Sequence, residues 1–191
     1  YSLSMPCENK DSLRKLESEY NVFFCGSDQI WNPNITEEFD SSYFLDFITN
    51  KPKFSYASSM GSYKYTEQEE IEVSKYLNNF KRISVREKNT AEYLNKLLGN
   101  RKINTVLDPT LLLNKRDWLA LLNIENPLQC EPYVFVYTLK KDKFVRDLIK
   151  KASVTLGLKI IVIDQDPFLG YSSDQHIKDA GPKQYIELIS N

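Results

Sequence analysis

Short apolar runs that end in a small or polar residue and then give way to a helical stretch recur along this chain, and that rhythm constrains the fold more than any other feature. It is the pattern of βα units, and it predicts an α/β protein built on parallel sheets. Val22-Phe23-Phe24-Cys25 runs into Gly26-Ser27-Asp28, and Lys53-Phe54-Ser55-Tyr56-Ala57-Ser58 alternates polar with apolar before Met60-Gly61. Arg82-Ile83-Ser84-Val85 ends at Arg86-Glu87, and Asn104-Thr105-Val106-Leu107 ends at Asp108-Pro109-Thr110. These four segments are expected to be neighbouring parallel strands of one sheet, with their carboxyl ends on a common crevice.

Helices fill the gaps with their own punctuation. Thr66 and Glu69 have the spacing of a capping box, after which Val73, Tyr76, Leu77 and Phe80 recur at the three-and-four spacing of one buried face. Thr90 to Leu98 carries Leu94, Leu97 and Leu98 on one stripe and stops at Gly99, a residue suited to the left-handed conformation after a helix. Asn114 with Asp117 opens a further helix through Trp118, Leu121 and Leu122. Asn126-Pro127 and Glu131-Pro132 then interrupt the periodicity, and a fresh βαβ unit begins. Its expected parts are a strand from Tyr133 to Leu139, a helix from Lys141 to Leu156 with Phe144, Leu148, Ile149 and Ala152 inward, and a strand from Leu158 to Ile163. Asp164 to Ala180 reads as a long polar loop, and Gly181-Pro182 starts the last helix, because proline tolerates the first helical position. The domain boundary is placed between residues 126 and 127, giving lobes of 1–126 and 127–191.

With 41% hydrophobic residues in 191, the chain can bury a sizeable core. Lysine plus arginine, 25, nearly balances aspartate plus glutamate, 26, without a long basic block, so nothing calls for nucleic acid as a partner and any anion site must be local. Cys7, Cys25 and Cys130 are an odd number without CxxC spacing, which argues against a disulfide framework or a zinc site and for a reducing compartment. No apolar run approaches the roughly 20 residues that span a bilayer. The cytoplasm is the expected location, with peripheral contact at the inner face of the membrane as its variant.

In open parallel sheets ligands bind beyond the carboxyl ends of the strands, where helix N-termini and loop amides converge. Gly26-Ser27-Asp28-Gln29, Ser58-Ser59-Met60-Gly61, Arg86-Glu87 and Asp108-Pro109-Thr110 occupy those ends. Gly26 and Gly61 are read first as tight turns, Asp108-Pro109-Thr110 as a capping turn, and Trp31 as a core residue rather than a sugar-stacking one. Arg86 has two readings: a bidentate grip on a carboxylate or phosphate, or a structural salt bridge to Glu87, Asp28 or Asp108. Asp28 is a candidate for orienting a hydroxyl or accepting its proton, and equally a cap for a helix beginning near Gln29. The chain has no GxGxxG, Walker or GxSxG motif. His176, the only histidine, falls in the polar loop and is read as solvent-exposed; Cys25 is read as a small buried apolar residue.

Read together, Cys25-Gly26-Ser27-Asp28-Gln29-Ile30-Trp31-Asn32-Pro33, Tyr43-Phe44-Leu45-Asp46-Phe47, Ser55-Tyr56-Ala57-Ser58-Ser59-Met60-Gly61, Ile83-Ser84-Val85-Arg86-Glu87, Asp108-Pro109-Thr110-Leu111-Leu112-Leu113 and Gly181-Pro182 resemble the polysaccharide pyruvyl transferase family, in its order and over nearly the whole chain. The resemblance implies two Rossmann-like lobes facing each other across a cleft, as in GT-B glycosyltransferases, with the first lobe here missing its opening strand and the second incomplete. It implies transfer of a pyruvyl group from phosphoenolpyruvate to two hydroxyls of one sugar of a cell-surface polysaccharide or its precursor, as a ketal, with release of phosphate. No redox cofactor and no metal are implied; the partners are phosphoenolpyruvate and a saccharide acceptor. Asp28 is then the catalytic candidate, and Gly26, Ser27, Gln29, Ser58, Gly61, Arg86, Glu87, Asp108 and Thr110 the substrate-binding candidates. The family's acid histidine belongs to a Ser-Phe-His-Gly-type segment expected after Asn191, so His176 does not inherit its role, and this piece alone is expected to be inactive. Ser59-Met60 departs from the family's small residue followed by Phe. A GT-B glycosyltransferase using a nucleotide sugar, and a non-catalytic anion- or partner-binding fragment, are the competing readings.

Overall fold

The structure is a computed structural model that describes residues 3–124, 131–139, 142–166 and 168–190. Asn126-Pro127, Cys130 and Lys141 lie outside them. The chain divides into two units, Tyr1–Leu112 and Leu113–Asn191, so the helix opened by Asn114 falls with the later elements, whereas the sequence boundary groups it with the earlier ones.

In the first unit β1 (Phe23–Cys25), β2 (Lys53–Ser55), β3 (Ser84–Val85) and β4 (Asn104–Thr105) are all parallel. They form two ladders, β1–β2 and β3–β4, joined by parallel bridges between Phe54 and Arg82 and between Ser58 and Val85. The expected neighbours and direction are present, but the ladder is interrupted between β2 and β3. Two serines explain the break. Ser55 Oγ donates to Ser84 O at 2.9 Å and accepts from Ser84 N–H at 3.0 Å, while Ser84 Oγ donates to Ser55 O at 2.8 Å. Side-chain hydroxyls there stand in for part of the backbone ladder.

Three helices accompany this sheet: α1 (Lys10–Glu19), α2 (Glu67–Leu77) and α3 (Lys88–Leu97). Thr66 and Glu69 form the expected capping box, and Val73, Leu77 and the following Phe80 are buried. In α3, Leu94 is buried, and Gly99 follows the helix with φ of 67°. Their side chains join Trp31, Phe44, Ile83 and Val85 in one core cluster.

The long connection from β1 to β2 is held by charged groups. Lys53 is only 5% exposed, and its ammonium donates to Leu45 O and Ile48 O, both at 3.1 Å; burial lowers its pKa. From α1, Glu17 accepts N–H bonds from Thr49, Asn50 and Lys51. The Asn50 N–H bond is the main reason its pKa is lowered. Glu69 is lowered too: burial opposes ionisation, and bonds from Thr66 and Tyr63 outweigh it. Carboxyls depressed in the folded state stabilise it above their unfolded pKa, and that contribution is lost as pH falls through the folded values. The melting temperature should therefore drop as pH falls from about 4.5, and Glu17→Gln should flatten that fall relative to the parent chain.

In the second unit β5 (Tyr133–Tyr137), β6 (Lys159–Ile163) and β7 (Gln175–Ile177) form a parallel sheet in the order β5-β6-β7. Helices α4 (Lys115–Leu121), α5 (Lys143–Leu156) and α6 (Pro182–Ile189) complete it. Asn114 and Asp117 cap α4 reciprocally, and α4 packs against α6. Alternation along β6 sends Ile160 and Val162 to a cluster with Ile149 of α5, and Ile163 to one with Leu188 of α6. Both faces of β6 are thus used, which is why its sequence is a continuous apolar run.

Two expectations need correction here. The stretch from Asp164 to Ala180 is not all loop, because β7 lies within it; Asp174 begins the pairing by accepting Ile160 N–H at 2.8 Å and donating its own N–H to Ile160 O. His176 is accordingly a half-buried strand residue, with ring Nε2 2.7 Å from Asp164 O. In α5 the inward face is turned: Val145 and Ile149 pack against the sheet, while Phe144 and Leu148 are exposed.

Candidate functional site

The carboxyl ends of β1 to β4 converge on Arg86. Its Nε donates to Glu87 Oε1 at 3.0 Å and its Nη1 to Asp108 Oδ2 at 3.2 Å, while Nη2 lies 3.8 Å from Asp28 Oδ1. Three strand ends are therefore joined through one guanidinium, and the Arg86 backbone N–H donates to Ser58 O, which ties in the residues after β2. The Glu87 hydrogen bond is the main reason its pKa is raised, so it is a cation at any working pH.

Its acidic partners differ in what they can do. Asp108 caps the 3-10 turn Pro109–Leu111, accepting from the Thr110 N–H at 3.0 Å and hydroxyl at 2.8 Å. The Thr110 N–H is the largest reason its pKa is lowered, and Arg86 and Ser27 add to it. Glu87 is the N-cap residue of α3 but makes no side-chain cap bond, and its Oε2 is buried without a partner. Asp28 has an 80% exposed side chain and caps no helix; its Oδ1 accepts the N–H of Gln29. The 3.8 Å gap to Arg86 is too long for a hydrogen bond, so the Nη2 edge is the one less committed part of the guanidinium.

Glycine is required at the two turns beneath. At Gly26, with φ of 109°, a Cβ would lie 2.2 Å from Tyr56 O and 2.7 Å from Ser58 Oγ. At Gly61, with φ of 58°, it would lie 2.2 Å from Gln29 Oε1. Gln29 is held there by the Asn32 amide at 2.8 Å. Gln29 and Gly61 thus make a knot beside the Arg86 cluster. Ser58 is fully buried, and its hydroxyl donates to Cys25 O, so it supports the turn from below.

A cavity of about 430 Å³ opens next to this knot, between the residues that follow β2 and those that begin α3. Met60, Gly61, Tyr63, Tyr65, Glu70, Thr90 and Tyr93 are among its lining residues. Tyr93 O–H donates to Glu70 Oε1 at 2.5 Å, and Tyr65 O–H donates to Trp31 O at 2.6 Å. Sequence reasoning missed this cavity. Its one local signal is the alternating Tyr63-Lys64-Tyr65; the rest of its wall comes from Met60 to Ser62, from Glu70 of α2 and from Asn89, Thr90 and Tyr93 of α3.

The family model for polysaccharide pyruvyl transferase matches residues 2–191. The chain belongs to the polysaccharide pyruvyl transferase family. No curated protein and no solved structure matches it. As a member of this family it is a transferase whose acceptor is a saccharide. Among the described residues no helix is long and apolar enough to cross a membrane, and no group of three or more His, Cys, Asp or Glu side chains could hold a metal ion.

Two other residues singled out from the sequence lie outside any reactive role visible here. Cys25 is 8% exposed, and burial pushes its thiol up to about 12, so it carries no thiolate near neutrality. Trp31 is 1% exposed and stacked on Phe44, with Nε1 donating to Tyr43 O at 3.1 Å, which fits the core reading.

Proposed function

We propose that the first unit binds phosphoenolpyruvate for transfer of its pyruvyl group to two hydroxyls of a saccharide, forming a ketal and releasing phosphate. The observation that carries this reading is Arg86, whose Nη2 edge lies at the mouth of the strand ends beside the N-terminus of α3, which lacks a side-chain cap. Unpaired N–H groups in the first turn and a planar guanidinium are both suited to an anion. With Asp28, Glu87 and Asp108 around it, Arg86 sits in a net negative setting. Phosphoenolpyruvate displaces the exposed Asp28 carboxylate from Nη2 and leaves the Glu87 and Asp108 bonds in place.

The reaction balances without redox chemistry. A proton is added to the methylene carbon, the adjacent carbon is attacked in turn by two hydroxyls, and the phosphate C–O bond breaks. The two hydroxyl protons balance the one taken up by the new methyl group and the one carried away by phosphate. Asp28, once displaced, receives a hydroxyl proton, while the acid that protonates the methylene carbon is assigned to no residue described here. A general base of this kind contributes about 10²–10⁴-fold. The test is phosphate release from phosphoenolpyruvate by the full-length enzyme with a saccharide acceptor, followed by NMR detection of a ketal methyl group. Asp28→Asn should lower kcat by roughly 10²-fold or more without weakening donor binding, because the carboxylate the donor displaces is gone. Release of phosphate without ketal formation, or a nucleotide sugar acting as donor, would refute the reading.

A further inference from the structure

The cavity beside the Arg86 cluster has a chemistry unlike the cluster itself. Tyr63, Tyr65 and Tyr93 contribute three aromatic rings, with Tyr63 and Tyr65 at 5.5 Å and an interplanar angle of 70°, and Tyr65 and Tyr93 at 6.2 Å. Between them stand groups suited to hydroxyls. Glu70 uses Oε1 for Tyr93 and makes no hydrogen bond through Oε2 to the described residues; the Asn89 amide makes none either. Thr90 is 2% exposed, yet its hydroxyl has no partner, and a buried polar group of that kind calls for an explanation. Among the described residues Lys64 and Glu70 are the only charged ones lining the cavity, and they offset each other.

We propose that this cavity is the subsite for an uncharged hexopyranose ring of the acceptor, seated between Tyr63 and Tyr93 with its hydroxyls on Glu70 and Asn89. The inference rests on the pyruvyl-transfer reading above and adds to it where the sugar sits. Aromatic faces cover the apolar C–H surface of a sugar ring, while a carboxylate and an amide fix its hydroxyls; the volume lies within the roughly 300–1,000 Å³ of small-molecule sites. An anionic ligand fits less well, because the charge of Lys64 is offset by Glu70, whose Oε2 suits a hydroxyl donor and repels an anion. The position suits transfer: Asn89 and Thr90 belong to the first turn of α3, directly after Arg86 and Glu87. Tyr65 is the structural member of the trio, since it is buried and its hydroxyl bonds Trp31 O.

Saturation-transfer NMR on the full chain tests this with methyl glycosides of galactose, glucose and mannose as probes, alongside calorimetric titration of phosphoenolpyruvate. Transfer is expected from at least one of the three glycosides. Its dissociation constant should rise tenfold or more in Tyr63→Ala and in Glu70→Gln, with phosphoenolpyruvate affinity unchanged in both. Glu70→Gln keeps an acceptor for Tyr93 O–H, so it reports on the ligand even if Tyr63→Ala proves less stable. Transfer from none of the glycosides, or equal affinity in both variants, overturns the proposal. So does a fall in phosphoenolpyruvate affinity in these variants, which would make the cavity a donor site. Tyr63-dependent sugar binding in a chain that binds no phosphoenolpyruvate would support the subsite and sink the donor reading instead.

Discussion

Gly26→Ala should destabilise the first unit by roughly 2–6 kcal/mol, the sum of a strained backbone conformation and steric overpacking. The added methyl would meet Tyr56 O at 2.2 Å. That carbonyl cannot retreat at low cost, because the same residue's N–H is held by Cys25 O at 3.0 Å across the β1–β2 ladder. A loss of this size is a large share of the roughly 5–15 kcal/mol that holds a typical domain folded. Gly99→Ala is the matched control: φ is again positive, at 67°, but nothing lies within 4 Å of the added methyl. It should cost only the roughly 1–2 kcal/mol of a left-handed residue. Urea unfolding of the two variants against the parent chain measures the difference, and equal losses would show that contact with Tyr56 and Ser58 contributes nothing.

Trp31→Ala should cost about 3–5 kcal/mol, the range for truncating a buried aromatic side chain. The indole stacks on Phe44 at 5.4 Å, meets Phe80 edge-on at 6.5 Å, and donates its N–H to Tyr43 O. Truncation leaves a void and an unsatisfied carbonyl together. The effect should reach the cavity too, since Trp31 O accepts the Tyr65 hydroxyl and Trp31 N–H bonds Ser59 O. Calorimetric melting measures the loss; a change within about 0.5 kcal/mol, the usual range for surface substitutions, would contradict the core placement.

What was legible in the sequence was what local chemistry decides. The capping pairs Thr66 with Glu69 and Asn114 with Asp117 need only residues three apart, and both formed. The strand runs ending at Cys25, Val85 and Ile163 needed only apolar content, whereas the run over Lys53–Ser58 was read from its alternation and is a strand only over Lys53–Ser55. Helix α1 escaped although Asn9 and Ser12 cap it reciprocally, because Leu13 and Leu16 are its only two apolar residues, and both end only partly buried. Strand β7 escaped because Gln175-His176-Ile177 offers one apolar residue, and its pairing depends on backbone bonds to β6. The reciprocal bonds of Ser55 and Ser84 are likewise invisible until the strands are side by side. For the candidate site, the positions of Arg86, Asp28, Glu87 and Asp108 at neighbouring strand ends followed from the βα rhythm. Their mutual pairing also realises the salt-bridge alternative set beside the anion grip. The tyrosine cavity did not follow, because its walls come from a loop and two helices that only the fold brings together.

In the proposed function Arg86, at the joined ends of β1, β3 and β4, grips the phosphoenolpyruvate carboxylate or phosphate. Calorimetric titration of phosphoenolpyruvate into the chain and into Arg86→Ala and Arg86→Lys variants tests it most directly. A charged hydrogen-bonding grip contributes roughly 1.5–3 kcal/mol, so Arg86→Ala should weaken binding by about 10–150-fold. Lysine should restore only part of it, since an ammonium cannot reproduce the planar fork that holds Glu87 and Asp108 while Nη2 faces the ligand. An unchanged phosphoenolpyruvate dissociation constant in Arg86→Ala, with a lowered melting temperature alone, would show instead that Arg86 serves only to tie Glu87 and Asp108 together.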